Sequence, residues 1–217
     1  MSKIELEIMP IPPFTEGNPT KLIIGTFPPS KGNWDYDFFF PNLKNRIWKI
    51  LRKVAYDESY ELLHNNYDED AVNERKQILL KLNAAMVNII HSCIRKDENG
   101  KSSLDNDLKV DKLQDIVNEI LLPNKNIKSI FLTSSSGNNS CVSLLKEHLK
   151  ENGISLNTKS TEKTRVGKIT NPFIDTINFN GRKINVYSLY SPSPTAQRRG
   201  ITEDILLLQY KIIKTEI

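Results

Sequence analysis

The sequence predicts an α/β protein: a three-layer α/β/α sandwich on a short, mostly parallel, four-stranded central sheet, with residues 1–217 forming a single domain. Three observations predict it. Four short, continuous apolar runs suit strands covered on both faces. Segments with helical spacing of apolar residues alternate with those runs. The composition, 38% hydrophobic and 26% charged over 217 residues, is that of a globular chain and excludes wholesale disorder.

The first strand is expected at residues 22–25, where Leu22-Ile23-Ile24 leads into Gly25. Phe27, Pro28 and Pro29 end it and open a long aromatic loop holding Trp34, Tyr36, Phe38, Phe39 and Phe40. A helix is expected from Asn45, a good capping residue, through Ile47, Trp48, Ile50, Leu51 and Val54. Residues 57–70 read as an insertion and 75–82 as a second helix. The second strand is expected at 85–90, followed by a charged loop over 95–107 that turns at Asn99-Gly100.

Leu113, Ile116, Val117, Ile120 and Leu121 predict one helix, stopped by Pro123. The third strand is expected at 127–132, and a helix at 140–150 ends at Gly153. Asn180-Gly181 predicts a tight hairpin whose second arm, 185–189, is the fourth strand. A last helix is expected at 201–213. In such sheets ligands collect at the carboxyl ends of the strands. The loops 27–44, 92–107, 133–139 and 190–200 are expected there.

Lys and Arg number 30 against 26 Asp and Glu, a net charge of +4 with a pI near 8.9. This permits nucleic-acid binding without requiring it. The two cysteines, Cys93 and Cys141, are too few for a four-thiolate cluster or a disulfide framework, and read as buried apolar side chains in a reducing compartment. No apolar run approaches the ~20 residues that span a bilayer. Residues 1–13 are acidic and broken by proline, unlike a secretory signal. The expectation is a cytoplasmic protein, nucleoid-associated if bacterial, with no membrane partner.

Several segments carry candidate chemistry. Gly25, Thr26, Phe27 and Pro28 form either a ligand loop or a plain strand exit, without the glycines and lysine of a triphosphate cradle. The Phe38–Phe40 run either tucks onto the core or leaves one ring free to stack on a base. Asn88, alone among apolar neighbours, either reads a base edge or braces a loop. His91 reads as a core residue. Ser191, Pro192, Ser193, Pro194 and Thr195, with Arg198 and Arg199 beyond them, form a stiff loop suited to phosphate oxygens.

Taken together these segments resemble the uracil-DNA glycosylase superfamily. Ser191-Pro192-Ser193-Pro194-Thr195 resembles its His-Pro-Ser-Pro-Leu loop, and Gly25-Thr26-Phe27-Pro28 resembles its first motif. Phe40-Pro41 followed by Asn45-Arg46-Ile47-Trp48-Lys49 is similar to the mismatch-specific branch. Ser92-Cys93 and Ser103-Leu104-Asp105 are similar to the hypoxanthine-DNA glycosylase branch, the nearest likeness. Phe27 stands where most members carry a water-positioning Asp or Asn, Ser191 where the uracil-specific enzymes carry His, and Thr195 where a Leu wedge is usual.

The resemblance implies a monofunctional DNA glycosylase, acting as a monomer. It would flip a deaminated or mismatched base, hypoxanthine or uracil, out of double-stranded DNA and release it, initiating base excision repair without metal or cofactor. Asn45, Asn88 and Asp105 are the catalytic candidates; Asn45 reads equally as a helix cap and Asp105 as a solvated loop acid. Gly25, Thr26, Phe27, Pro28, Phe40 and Asn88 are the base-binding candidates, and Ser191 to Thr195 with Arg198 and Arg199 the DNA-binding ones. Two other classes remain: a lesion-binding module with altered catalysis, and a hydrolase or transferase of small nucleotides.

Overall fold

The structure, a computed structural model, describes residues 5–56, 69–96, 102, 104–157, 165–166 and 169–216. Most of the 57–70 insertion, the Asn99-Gly100 turn and Ser103 lie outside the described residues. The elements run β1 (Leu6–Ile8), β2 (Lys21–Gly25), α1 (Ile47–Tyr56), α2 (Glu69–Lys81), β3 (Ala84–Asn88), β4 (Ile90–Arg95) and β5 (Leu108–Leu113). A π-helical turn (Ile116–Leu121), β6 (Ser129–Leu132) and α3 (Cys141–Glu151) follow. The two-residue strands β7 (Arg165–Val166) and β8 (Ile169–Thr170) pair with each other. The chain ends with β9 (Phe173–Phe179), β10 (Arg182–Ser188), α4 (Pro194–Arg198), α5 (Glu203–Tyr210) and α6 (Ile212–Thr215).

The central sheet has the order β3-β2-β6-β10-β9. Its first four strands are mutually parallel, and β9 adds an antiparallel edge. The expected four-stranded sheet is therefore a five-stranded mixed one. The cause is local: Asn180 and Gly181 both have positive φ, 48° and 74°, so a two-residue turn returns β10 alongside β9 in the same sheet.

Successive strand residues alternate between two apolar clusters, as the strand period of two requires. Ile23, Met86, Phe131 and Tyr187 pack with α1, α2, α5 and α6. Leu22, Ile24, Val87, Ile130 and Val186 pack with the π-turn and α3 on the opposite face. Helices thus cover both faces of the sheet.

The expected strand over 85–90 is two strands. Ile89 N–H donates to Gly25 O and Ile90 N–H to Thr26 O, after which the chain leaves the central sheet. β4 then joins a three-stranded antiparallel sheet of order β1-β4-β5. Ile89 and Ile90 are both fully buried. Both belong to the cluster on the π-turn face, so the alternation between faces breaks here and marks the change of sheet.

The helix expected to begin near Leu113 is corrected as well. Residues through Leu113 belong to β5, and only Ile116–Leu121 is helical, capped by the Asp115 carboxylate accepting from Asn118 N–H. The final helix is divided near Lys211 into α5 and α6. Among the described residues no helix is long and apolar enough to cross a membrane.

Candidate active site at the carboxyl ends of the parallel strands

β2 and β3 run parallel with Gly25 opposite Asn88. A Cβ built on Gly25 would lie 2.5 Å from Asn88 Oδ1 and 2.9 Å from Phe40 Cζ. Glycine is required here by space, because a side chain from the loop and another from the neighbouring strand both close over its Cα. Gly25, Phe40 and Asn88, separated in sequence, form one corner. Asn88 is 5% exposed, and among the described residues its Nδ2 donates only to Met9 Sδ at 3.4 Å. A thioether is a weak acceptor, so this buried amide keeps most of its hydrogen-bonding capacity for something else.

The three consecutive phenylalanines divide as their packing demands. Phe38 and Phe39 are buried, with the Phe38 ring 5.7 Å from Trp48 and 5.1 Å from Phe39. Phe40 is half-buried and has φ +50°, the left-handed region that bulky residues avoid. Its carbonyl accepts from Tyr36 Oη at 2.6 Å, and Trp48 Nε1 donates to Phe39 O at 2.8 Å. Burial pushes the Tyr36 phenol up to about 12, so it remains a donor; the Arg75 guanidinium lies 4.0 Å from its ring centroid. Tyr36→Phe is expected to release this strained carbonyl. The result should be about 1 kcal/mol of lost stability, read by thermal unfolding.

Asp105 reaches the same strand end from another loop. Thr26 Oγ1 donates to Asp105 Oδ1 at 2.7 Å, and Asn139 Nδ2 donates to Asp105 O at 2.7 Å. Burial pushes the Asp105 carboxyl up to about 6, with the Thr26 hydroxyl and the Arg95 charge opposing the rise. Asp105 is not the solvated loop acid that one reading of the sequence allowed. A carboxyl poised near neutrality in a recess is suited to accepting a proton. Phe27 is half-buried with its ring 5.7 Å from Arg95 Cζ, and Pro28 O accepts from Arg95.

The proline-rich loop is fastened to α1. Arg46 donates from Nη1 to Ile201 O at 2.7 Å, from Nε to Pro192 O and from Nη2 to Ser193 O. Ser193 caps α4 by accepting from Ala196 N–H, and Ser191 Oγ accepts from Ser193 N–H. Pro194 follows in the first helical turn. Thr195 accepts from Arg198, and Arg198 and Arg199 are exposed. The serine oxygens thus hold the loop's own shape.

Asn45 Oδ1 accepts from Ile47 N–H at 3.1 Å, a local turn that leads the chain into α1. His91 lies against Gln114. Burial raises both Cys93 and Cys141 to about 11, leaving inert thiols. Among the described residues no cluster of metal-ligating side chains occurs. Tyr36, Arg46, Arg95 and Asn139 were not singled out from sequence. Their partners lie 4 to 155 residues away, and only a lone arginine at the end of an apolar run, as at Arg95, hints at such a role.

Among solved structures the chain is similar to a solution NMR structure of a "putative Uracil DNA glycosylase" from Methanosarcina acetivorans. The TM-score is 0.55 at 12% identity, covering 94% of this chain and 96% of that one. At that identity the likeness establishes a shared fold. No protein-family model matches the chain, and no curated protein matches its sequence.

Proposed function

We propose that this protein is a monofunctional DNA N-glycosylase that releases a deaminated base, hypoxanthine or uracil, from double-stranded DNA. The observation that carries the reading is the buried Asn88 amide facing the Gly25–Phe40 corner, with a thioether as its one partner among the described residues. A base must leave the stack to enter such a corner, at a cost of a few kcal/mol. Deaminated bases present a lactam edge, with C=O and N–H side by side. Asn88 offers the complementary Nδ2–H and Oδ1, while Phe40 offers a ring to stack on. The shared fold supports the same reading.

Hydrolysis of the glycosidic bond develops positive charge on the sugar and negative charge on the departing base. Asp105, ionised above about pH 6, would take a proton from the attacking water and face the developing cation. Asn88 Nδ2–H would stabilise charge on the base oxygen. Every group needed is a side chain of this chain, and the repair of the resulting abasic site falls to other enzymes. Arg46 would keep the 191–194 loop rigid beside α1, and Arg198 and Arg199 would meet phosphates. We propose one domain acting as a monomer.

The test is incubation with duplexes carrying uracil, hypoxanthine, xanthine or a thymine mismatch, with chromatography of free base and scoring of alkali-labile sites. The expected result is equimolar base and abasic site from the uracil or hypoxanthine duplex. Tight lesion binding without release would instead assign a recognition module. Release from free nucleosides in preference to duplexes would assign a small-nucleotide hydrolase.

Phosphate contacts carry charge but no sequence information. The double variant Arg198→Ala/Arg199→Ala is therefore expected to weaken binding to damaged and undamaged duplexes alike. Binding across a salt series should show the slope of log K reduced by roughly one per lost contact. An unchanged slope would place the DNA elsewhere.

A further inference from the structure

We propose that the ion pair between buried Arg95 and half-buried Glu7 is a positioning element for the reaction: it seats Asp105 against Thr26 and sets the charge that surrounds the Asp105 carboxylate. This rests on the assignment of Asp105 as the water-activating group. Arg95 ends β4, is 6% exposed, and uses every nitrogen of its guanidinium. Nε donates to Glu7 Oε1 at 2.7 Å, and Nη2 to Glu7 Oε2 at 3.2 Å and to Pro28 O at 2.8 Å. Nη1 donates to Ser102 O.

Pro28 lies two residues after Thr26, and Ser102 lies three before Asp105. One planar cation therefore ties together the two loops whose members meet at the Thr26–Asp105 hydrogen bond. Glu7 comes from β1, so the N-terminal strand is bound into the site. Burying the Arg95 guanidinium costs desolvation that the half-exposed Glu7 carboxylate only partly offsets. Its value lies in geometry and charge.

The groups facing Asp105 come from several elements. Thr26 follows β2, and Asn139 precedes α3 and holds the Asp105 carbonyl. The Cys141 thiol on α3 is neutral at physiological pH. Asp107, on the same turn as Asp105, accepts from Ser102 Oγ. Arg95 supplies the positive charge, partly offset by Glu7 across the bidentate contact. The two members of the pair should therefore move Asp105 in opposite directions.

The experiment measures two things in wild type, Arg95→Met, Arg95→Lys and Glu7→Gln. One is the pH profile of base release; the other is the Asp105 carboxyl titration by carbon-13 NMR without DNA. Arg95→Met should move the acid limb and the titration upward by roughly half to one pH unit, and Glu7→Gln should move both downward by a similar amount. Arg95→Lys keeps the charge but loses the fork, so its limb should stay in place while the plateau rate falls about tenfold. Should Arg95→Met fail to fold, Glu7→Gln and Arg95→Lys still decide the matter.

Shifts in the same direction, or none, would reduce the pair to a scaffold contact and overturn the inference. Opposite shifts in the NMR titration with no base release from any duplex would instead overturn the glycosylase reading, while leaving the pair's hold on Asp105 established.

Discussion

Asp105→Asn is expected to slow base release by about 10³-fold, within the range a positioned proton acceptor contributes, while leaving the protein folded and somewhat more stable. The stability gain has a definite sign. The folded carboxyl titrates near 6 against 3.8 for an unperturbed one, so the native state holds its proton more tightly than the unfolded state does. Its contribution to stability is fully present below about pH 4, is lost as pH rises from there through 6, and stays lost above that. The loss is no more than about 3 kcal/mol, and the partial exposure of Asp105 reduces it. Asparagine removes the charge yet can still accept from Thr26. Thermal unfolding at pH 5 and pH 8 should show the variant gaining mainly at pH 8. Wild-type activity should rise through about pH 6 and plateau above it. Full activity in Asp105→Asn would remove this residue from the mechanism.

Gly25→Ala is expected to cut base release by 100-fold or more while lowering the melting temperature by roughly a few degrees. The added methyl would sit 2.5 Å from Asn88 Oδ1 and 2.9 Å from the Phe40 ring, so both must move. Asn88 is boxed in at 5% exposure, and the Phe40 backbone is already held at φ +50°. The methyl therefore displaces the two groups assigned to the base. Folding suffers less, because both offenders are side-chain ends and alanine lowers the entropy of the unfolded chain by the equivalent of roughly 0.4–1 kcal/mol. Single-turnover release alongside thermal unfolding checks this. Wild-type rates in a stable Gly25→Ala protein would show that the corner is not where the base sits.

The parallel strands were legible because strands buried on both faces leave unbroken apolar runs, as at Leu22-Ile23-Ile24 and Ile130-Phe131-Leu132. The hairpin was legible because Asn180-Gly181 satisfies a local backbone demand. That this hairpin adds a fifth strand to the central sheet was not, since local geometry says nothing of which sheet a hairpin joins. The change of sheet at Ile89 was hidden because an inward-facing pair reads like more of the same strand. β5 was hidden by Leu113, which fits the helical spacing of Ile116 and Val117.

Phe40, Gly25 and Asn88 could be named from sequence because each was locally unusual. What could not be read was why they matter together, since the contact depends on register between β2 and β3 and on a loop folded back by Tyr36. Asp105 shows the same limit: burial raises its titration, and the Thr26 hydroxyl that opposes the rise lies 79 residues away in sequence. Arg95 closes an apolar run, but nothing in the sequence pairs it with Glu7, 88 residues away.

The central claim is that Phe40 and Asn88, set in place by their close packing on Gly25, hold an extruded base. Fluorescence of a 2-aminopurine placed beside the lesion reports loss of stacking when the neighbouring base leaves the helix. Wild type and Asp105→Asn should both raise it on a uracil or hypoxanthine duplex, whereas Phe40→Ala and Asn88→Ala, folded and still binding phosphates, should not. An equal rise in all four proteins, or none in any, would contradict the account.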